Sequence, residues 1–218
     1  MKFAWRRIRS AFTIWCAALL MTSAIAVKVD SAARISSTRQ GDSERPSSQE
    51  AERVIARRAR SVILSLKAGN MAALSTFVHP QKGVRFSPYA SVLPDEDRVV
   101  KKNQLLQMWA SKKVYKWGGY DGSGDPIWLT FKKYYRRFIF DHDFSRAKNV
   151  AYNPETMSHG NTPNNIREYY PNSIAVEYYF PGFDSKLSGM DWTSLWLVFE
   201  KRGSEWYLVG IVHDEWTI

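Results

Sequence analysis

Apolar residues recur at helical spacing in the first half of the folded region and at every second position near its end. From residue 49, Ala51, Val54, Ile55, Ala59, Val62, Ile63 and Leu66 fall on one face of a predicted helix. Ser47, three residues before Glu50, forms a capping box ahead of that run, and Gly69 is a natural stop after it. A short second helix is expected over residues 71–78, ended by His79-Pro80. Val84, Arg85 and Phe86 then follow a Gly83 turn as a short strand. Pro94 and the acidic residues 95–97 open a loop toward an amphipathic helix whose apolar side carries Val99, Leu105, Leu106, Met108 and Trp109. Next, VYKW, GGYDGSGDP and IWLT read as a hairpin. Thr130 can cap a helix with Phe131, Tyr134, Tyr135 and Phe138 at i, i+3, i+4 and i+7.

Residues 153–165 are expected to be a loop, given their Asn, Gly and Pro content. Three strands rich in Val, Ile, Trp, Tyr and Phe finish the chain: 173–180, 193–200 and 205–217. Strict alternation in the last strand places Trp206, Leu208, Val212, Asp214 and Trp216 on one side, with Tyr207, Val209, Ile211, His213 and Glu215 on the other. Helices first and antiparallel strands last define an α+β architecture, with the N-terminal helices packed on one face of a bent antiparallel sheet.

The front of the chain has a different character. Lys2, Arg6, Arg7 and Arg9 precede an uncharged run over 11–27 and small residues at Ala24-Ile25-Ala26, the order of a secretory signal. Cleavage after Ala26 is the first expectation and the Ser31-Ala32-Ala33 site the second. The alternative is a retained N-terminal anchor, although the run is short for a span of about 20 apolar residues. Residues 27–48 are polar, rich in Ser and Arg and without apolar periodicity, so they read as a flexible tether to a single domain over 49–218. The expected location is extracellular or at the cell envelope.

Composition sharpens this picture. With 218 residues, 44% hydrophobic and 24% charged, the chain is neither disordered nor fibrous nor a polytopic membrane protein. Its one cysteine, Cys16, excludes a disulfide framework and leaves the cleaved chain without a thiol, which suits an oxidising compartment. The formal charge is +10; removing the four leader cations leaves 27 Lys plus Arg against 21 Asp plus Glu, or +6. Inside a cell that surplus would suggest nucleic acid. Behind a secretory leader it points to acidic wall polymer or anionic lipid, and no nucleic-acid partner is expected.

The helix ending LKAGNMAALSTFVHP, the strand GVRFSPYA and the closing meander WYLVGIVHDEWTI resemble the NTF2-like, cystatin-like cone fold. The segments VHPQKGVRFSPY, YDGSGDPI, VEYYFPG and WYLVGIVHDEWTI are similar to those of a group of exported bacterial proteins, over roughly residues 49–218. The resemblance implies a cone geometry and a concave sheet face that lines a pocket. It brings no catalytic residues, because the wider fold hosts both enzymes and ligand-binding domains.

Several side chains could carry chemistry. An acid–base reading takes His213 or Asp214 as general base, with Glu177 or Asp141 tuning it; in the rival reading these groups cap the sheet end and pair with Arg or backbone amides. Asp141-His142-Asp143 invites a metal, but neighbours in an extended segment point opposite ways, so no metal site and no cofactor is expected. Residues 121–125 resemble a calcium loop only until Pro126 and Lys132 stand where glycine and glutamate are required. No G-x-S-x-G elbow occurs. Lysines and arginines interleave with Trp109, Tyr115, Tyr134 and Tyr135, aromatics that on amphipathic helices belong to a core. The expectation is an exported, non-catalytic domain that binds a small-molecule or envelope ligand in a pocket formed by Tyr89, Tyr179, Trp216 and His79. The alternatives are a small-substrate acid–base enzyme and a basic adhesion module.

Overall fold

A computed structural model describes residues 45–217 of the chain. The leader and nearly all of the tether lie outside these residues. Among the described residues no helix is long and apolar enough to cross a membrane.

The first helix, α1 (Ser48–Lys67), starts where the capping box places it: Ser47 Oγ accepts from the Glu50 amide. Its buried stripe is Ala51, Ile55, Ala59, Val62, Ile63 and Leu66, whereas Val54 turns to solvent at the edge of that stripe. Asn70 caps α2 (Met71–Phe77) through its side-chain oxygen. β1 (Val84–Ser87) follows, then β2 (Arg98–Val100), which pairs antiparallel with β1. Val99 therefore lies in a strand instead of opening the next helix, and α3 (Leu105–Ala110) begins later than its apolar spacing predicts. The backbone hydrogen bonds offered by β1 decide that local choice over the helical pattern.

β3 (Val114–Gly119) and β4 (Pro126–Thr130) form the expected hairpin as a separate two-stranded sheet. Thr130 caps α4 (Phe131–Phe138), whose Phe131, Tyr134, Tyr135 and Phe138 are all buried. The main sheet is completed by β5 (Asn149–Tyr152), β6 (Ser173–Phe180), β7 (Thr193–Arg202) and β8 (Glu205–Glu215), with a short α5 (Ile166–Tyr169) between β5 and β6. Its order is β2-β1-β8-β7-β6-β5, antiparallel except where β1 runs parallel to β8. This is the α+β layout expected from the sequence, extended by β2, β5 and α5, whose segments are too short to show a period.

Both faces of the sheet are covered. On the helix side Ile174, Val176, Leu195, Leu197, Phe199, Leu208 and Ile211 pack under α1, α2 and α4. Trp117 stacks on Tyr134 with centroids 4.2 Å apart and planes at 14°, and Phe86 meets it edge-on. The hollow expected on this face is thus filled by aromatic side chains. The opposite face carries a second core of Val92, Met157, Ile166, Tyr170, Trp196 and Val212, closed by the segment from Asn153 to α5. Asn153 anchors that segment from the left-handed region (φ 45°), exchanging bonds with the Ala175 backbone and reaching the Pro46 carbonyl.

A bulge in β8 changes the face of half its residues. Val198 pairs with Gly210 and Phe199 with Leu208, so Val209 is an extra residue in the ladder. Leu208 consequently shares the helix side with Ile211, while Val209 joins Val212 on the other. Strict alternation is right within each half of the strand and wrong across the bulge.

Candidate functional site

The structure separates the four candidate acid–base residues into two pairs on opposite faces of the sheet. Asp141 and His213 meet on the helix side. Asp141 Oδ2 lies 3.3 Å from His213 Nε2 and 2.8 Å from His142 Nδ1. His213 is fully buried, and its Nδ1 is 3.3 Å from the Pro88 carbonyl. The Pro88 carbonyl can only accept, so Nδ1 donates to it, while Nε2 faces both the Asp141 carboxylate and Thr193 Oγ1, 3.3 Å away. Burial is the largest influence and disfavours a charge on this ring, but the hydrogen bond and the charge of Asp141 together outweigh it and the His213 pKa is raised. Burial likewise works against the Asp141 carboxylate, yet His213 and His142 bring it down to about 2. The third member of the suspected metal triplet, Asp143, turns away to Lys67, 2.8 Å distant.

Glu177 and Asp214 lie on the other face under residues 153–165. Glu177 Oε1 is 2.8 Å from His159 Nε2, and the His159 ring stacks on Tyr179 at 3.9 Å. Gly160 lets the segment approach closely: a Cβ there would stand 2.8 Å from the Trp192 ring. Register places Ser194 beside Asp214 and Trp196 beside Glu177. Ser194 Oγ, Trp196 Nε1 and Asp214 Oδ2 are all buried without a hydrogen-bond partner. Burial, with Glu177 adding to it, pushes Asp214 up to about 7. The bond to Glu177 raises His159.

Neither pair lines the cleft that lies at the end of the sheet where β1 and β8 both terminate. This cleft of about 500 Å³ lies between the β1–β2 loop, the β3–β4 turn, residues 161–163 and Thr217. Pro88, Tyr89 and Tyr120 supply apolar walls, and Glu96, Asp97 and Asp121 supply carboxylates. Asp97 is 8% exposed. Its Oδ2 accepts from Ser87 Oγ and from the Leu93 amide, while its Oδ1 is buried and has no partner. Burial outweighs those two bonds and pushes Asp97 up to about 6. Gly118 (φ +114°) makes room beside it; a Cβ there would stand 3.2 Å from Pro88 Cγ and 3.7 Å from Asp97 Oδ1. Thr162 Oγ1 donates to Asp121 Oδ2 across the rim, 3.2 Å away.

Of the four residues expected to form one binding pocket, Tyr89 lines this cleft. Tyr179 lies on the far face against His159. Trp216, 41% exposed, sits just past β8 and next to the cleft-lining Thr217. His79 is near the opposite end of β8: its Nδ1 accepts from the Gln81 and Lys82 amides, and burial lowers its pKa. Asp97 was not among the candidates. The only signal for it was its place in a run of three acids, which reads as an ordinary solvated loop.

No protein-family model matches the chain, and no curated protein matches it. Among solved structures it is similar to a multiply substituted NTF2 chain at 11% identity, covering 74% of this chain and 98% of that one with a TM-score of 0.32. It is also similar to a structure from Xanthomonas campestris described as a calcium/calmodulin dependent protein kinase II association domain. There the identity is 14%, the coverage 74% and 84%, and the TM-score 0.30. The α+β class stands on this chain's own strands and helices.

Proposed function

We propose that this chain is an exported, non-catalytic domain that binds a small-molecule ligand at the bacterial cell envelope, and that the cleft over Asp97 is its binding site. One observation carries the reading: a ready-made cleft with two tyrosine walls holds a buried carboxyl group, one of whose oxygens has no partner. A buried acceptor left unpaired costs about 1–3 kcal/mol, which a bound donor would recover. The His–carboxylate pairs do not serve as well, because one is packed among aromatic side chains and the other lies beneath residues 153–165.

Two measurements test the proposal. Fractionation of the source cells is expected to find the processed chain outside the cytoplasm; an unprocessed cytosolic pool as the sole species would defeat the export half. Native mass spectrometry of the purified full chain is expected to show a retained small molecule that Tyr89→Ala and Tyr120→Ala release. Retention unaffected by either change would move the site elsewhere.

A second reading, acid–base chemistry on a small substrate, draws on the near-neutral Asp214 carboxyl beside Glu177. It requires residues 153–165 to lift before substrate can enter. A turnover abolished by Asp214→Asn, with the fold intact, would promote it over binding.

A further inference from the structure

The charges around the cleft run against those of the protein. The chain carries +10, yet among the described residues three carboxylates and no lysine, arginine or histidine line this cleft. Two other hollows of similar or larger size among the described residues include basic side chains. One of about 720 Å³ takes in Arg57, Arg58 and Lys201, and one of about 510 Å³ takes in Arg45, Lys82 and Lys201. A cleft of one sign with low-dielectric walls concentrates the opposite ion, and on a basic protein it does so against the general field.

Resting on the ligand-binding reading above, we infer that the cleft selects a small organic cation whose ammonium group bears N–H bonds. Each part of the lining matches one part of such a molecule. Glu96 and Asp121 are exposed at the rim and attract the charge. The Tyr89 and Tyr120 rings accept an apolar body and present π faces to a cation. Asp97 supplies the seat. Its Oδ2 is already committed to Ser87 and Leu93, and its Oδ1 lacks a donor, so an N–H of the ligand completes its bonding. A quaternary ammonium has no N–H to offer and would leave Oδ1 as it is. A metal ion would have no use for the tyrosine walls, and an anion would meet three like charges.

Three probes of one shape and different charge test this on the full chain: phenethylamine, 2-phenylethanol and phenylacetate. Calorimetric titration, with the Tyr89 and Tyr120 resonances followed by NMR to locate binding, is expected to rank them cation, neutral, anion. A charge-assisted bond to Asp97 makes phenethylamine at least about tenfold tighter than the alcohol. Asp97→Asn is expected to remove that advantage, bringing phenethylamine and 2-phenylethanol to similar affinities. Should that variant fail to fold, the exposed rim pair Glu96→Gln with Asp121→Asn is expected to weaken phenethylamine several-fold and to flatten its salt dependence. Equal affinities, or phenylacetate binding best, with shifts at both tyrosines, would overturn the cation assignment and leave the cleft a binding site. No shift at either tyrosine with any probe up to millimolar concentration would overturn the cleft itself.

Discussion

Two histidine–carboxylate groups flank β8 on opposite faces, at successive residues, and their carboxyls are driven in opposite directions. On the helix side Asp141 is held at about 2 by two imidazoles, and both nitrogens of His213 have acceptors. On the other side Asp214 is pushed to about 7 by burial and the nearby Glu177, although His159 is close by. Exposure explains little of the contrast, since the Asp141 side chain is only 14% exposed and Asp214 is 2% exposed. Partners explain more. Asp141 Oδ2 has two imidazoles within hydrogen-bond reach, whereas Asp214 Oδ2 has no donor and sits near orphaned Ser194 and Trp196 atoms. Burial sets the size of what is at stake in a charged group, and hydrogen bonding decides its sign.

The largest test is to break the satisfied group. His213→Leu takes the buried partner from the Asp141 carboxylate, leaving it the partly exposed His142, and is expected to cost up to about 3–5 kcal/mol, read from urea unfolding at neutral pH. The double change with Asp141→Leu removes that carboxylate and is expected to recover most of the loss. Additive losses in the double variant would show that the pair is not a unit. The pH dependence follows from the shifts. A raised His213 pKa stabilises the fold below the ordinary value of 6.5 and loses that contribution as pH rises through the folded value. A lowered Asp141 pKa stabilises above the usual carboxylate range and is lost as pH falls toward about 2.

Asp214 works with the opposite sign to Asp141. Its folded pKa of about 7 lies above the ordinary 3.8, so the carboxyl penalises folding increasingly between about pH 4 and pH 7 and by a constant amount above that. Asp214→Asn is therefore expected to stabilise the protein at pH 8 by up to about 4 kcal/mol, shrinking toward nothing at pH 4. A gain independent of pH would mean that the carboxyl is not the source. The smallest expected effect is at Glu177. Glu177→Gln keeps the shape and an acceptor but removes the charge, so the His159 titration midpoint followed by NMR is expected to fall back toward 6.5. Global stability should stay within about 1 kcal/mol. An unmoved midpoint would assign the His159 shift to some neighbour other than Glu177.

The fold was largely legible because its long elements repeat a pattern. The stripe Ala51, Ile55, Ala59, Val62 and Leu66, the quartet on α4 and the three closing strands each carry enough period to identify themselves. β2 and β5 did not, being three and four residues long and held by neighbours distant in sequence. Val99 shows the failure directly: its apolar spacing fits a helix, but pairing with Arg85 makes it a strand residue. The site was less legible. Strand alternation puts His213 and Asp214 on opposite faces, as the structure does, but it left open which of them Asp141 and Glu177 would meet.

The amino-acid sequence by itself determined the class of fold, the capped helices, the closing meander and the opposition of His213 and Asp214, because each depends on spacing within one segment. Tertiary structure alone decided which carboxyl meets which histidine, where Val209 breaks the alternation, and that the open space lies over Asp97 instead of within the sheet's filled face. Those outcomes depend on how far-separated segments fill volume and share hydrogen bonds. Asp97 bonds Ser87 and comes to line one cleft with Tyr120 only after β1, β2 and the β3–β4 turn have come together, and no local pattern records that meeting.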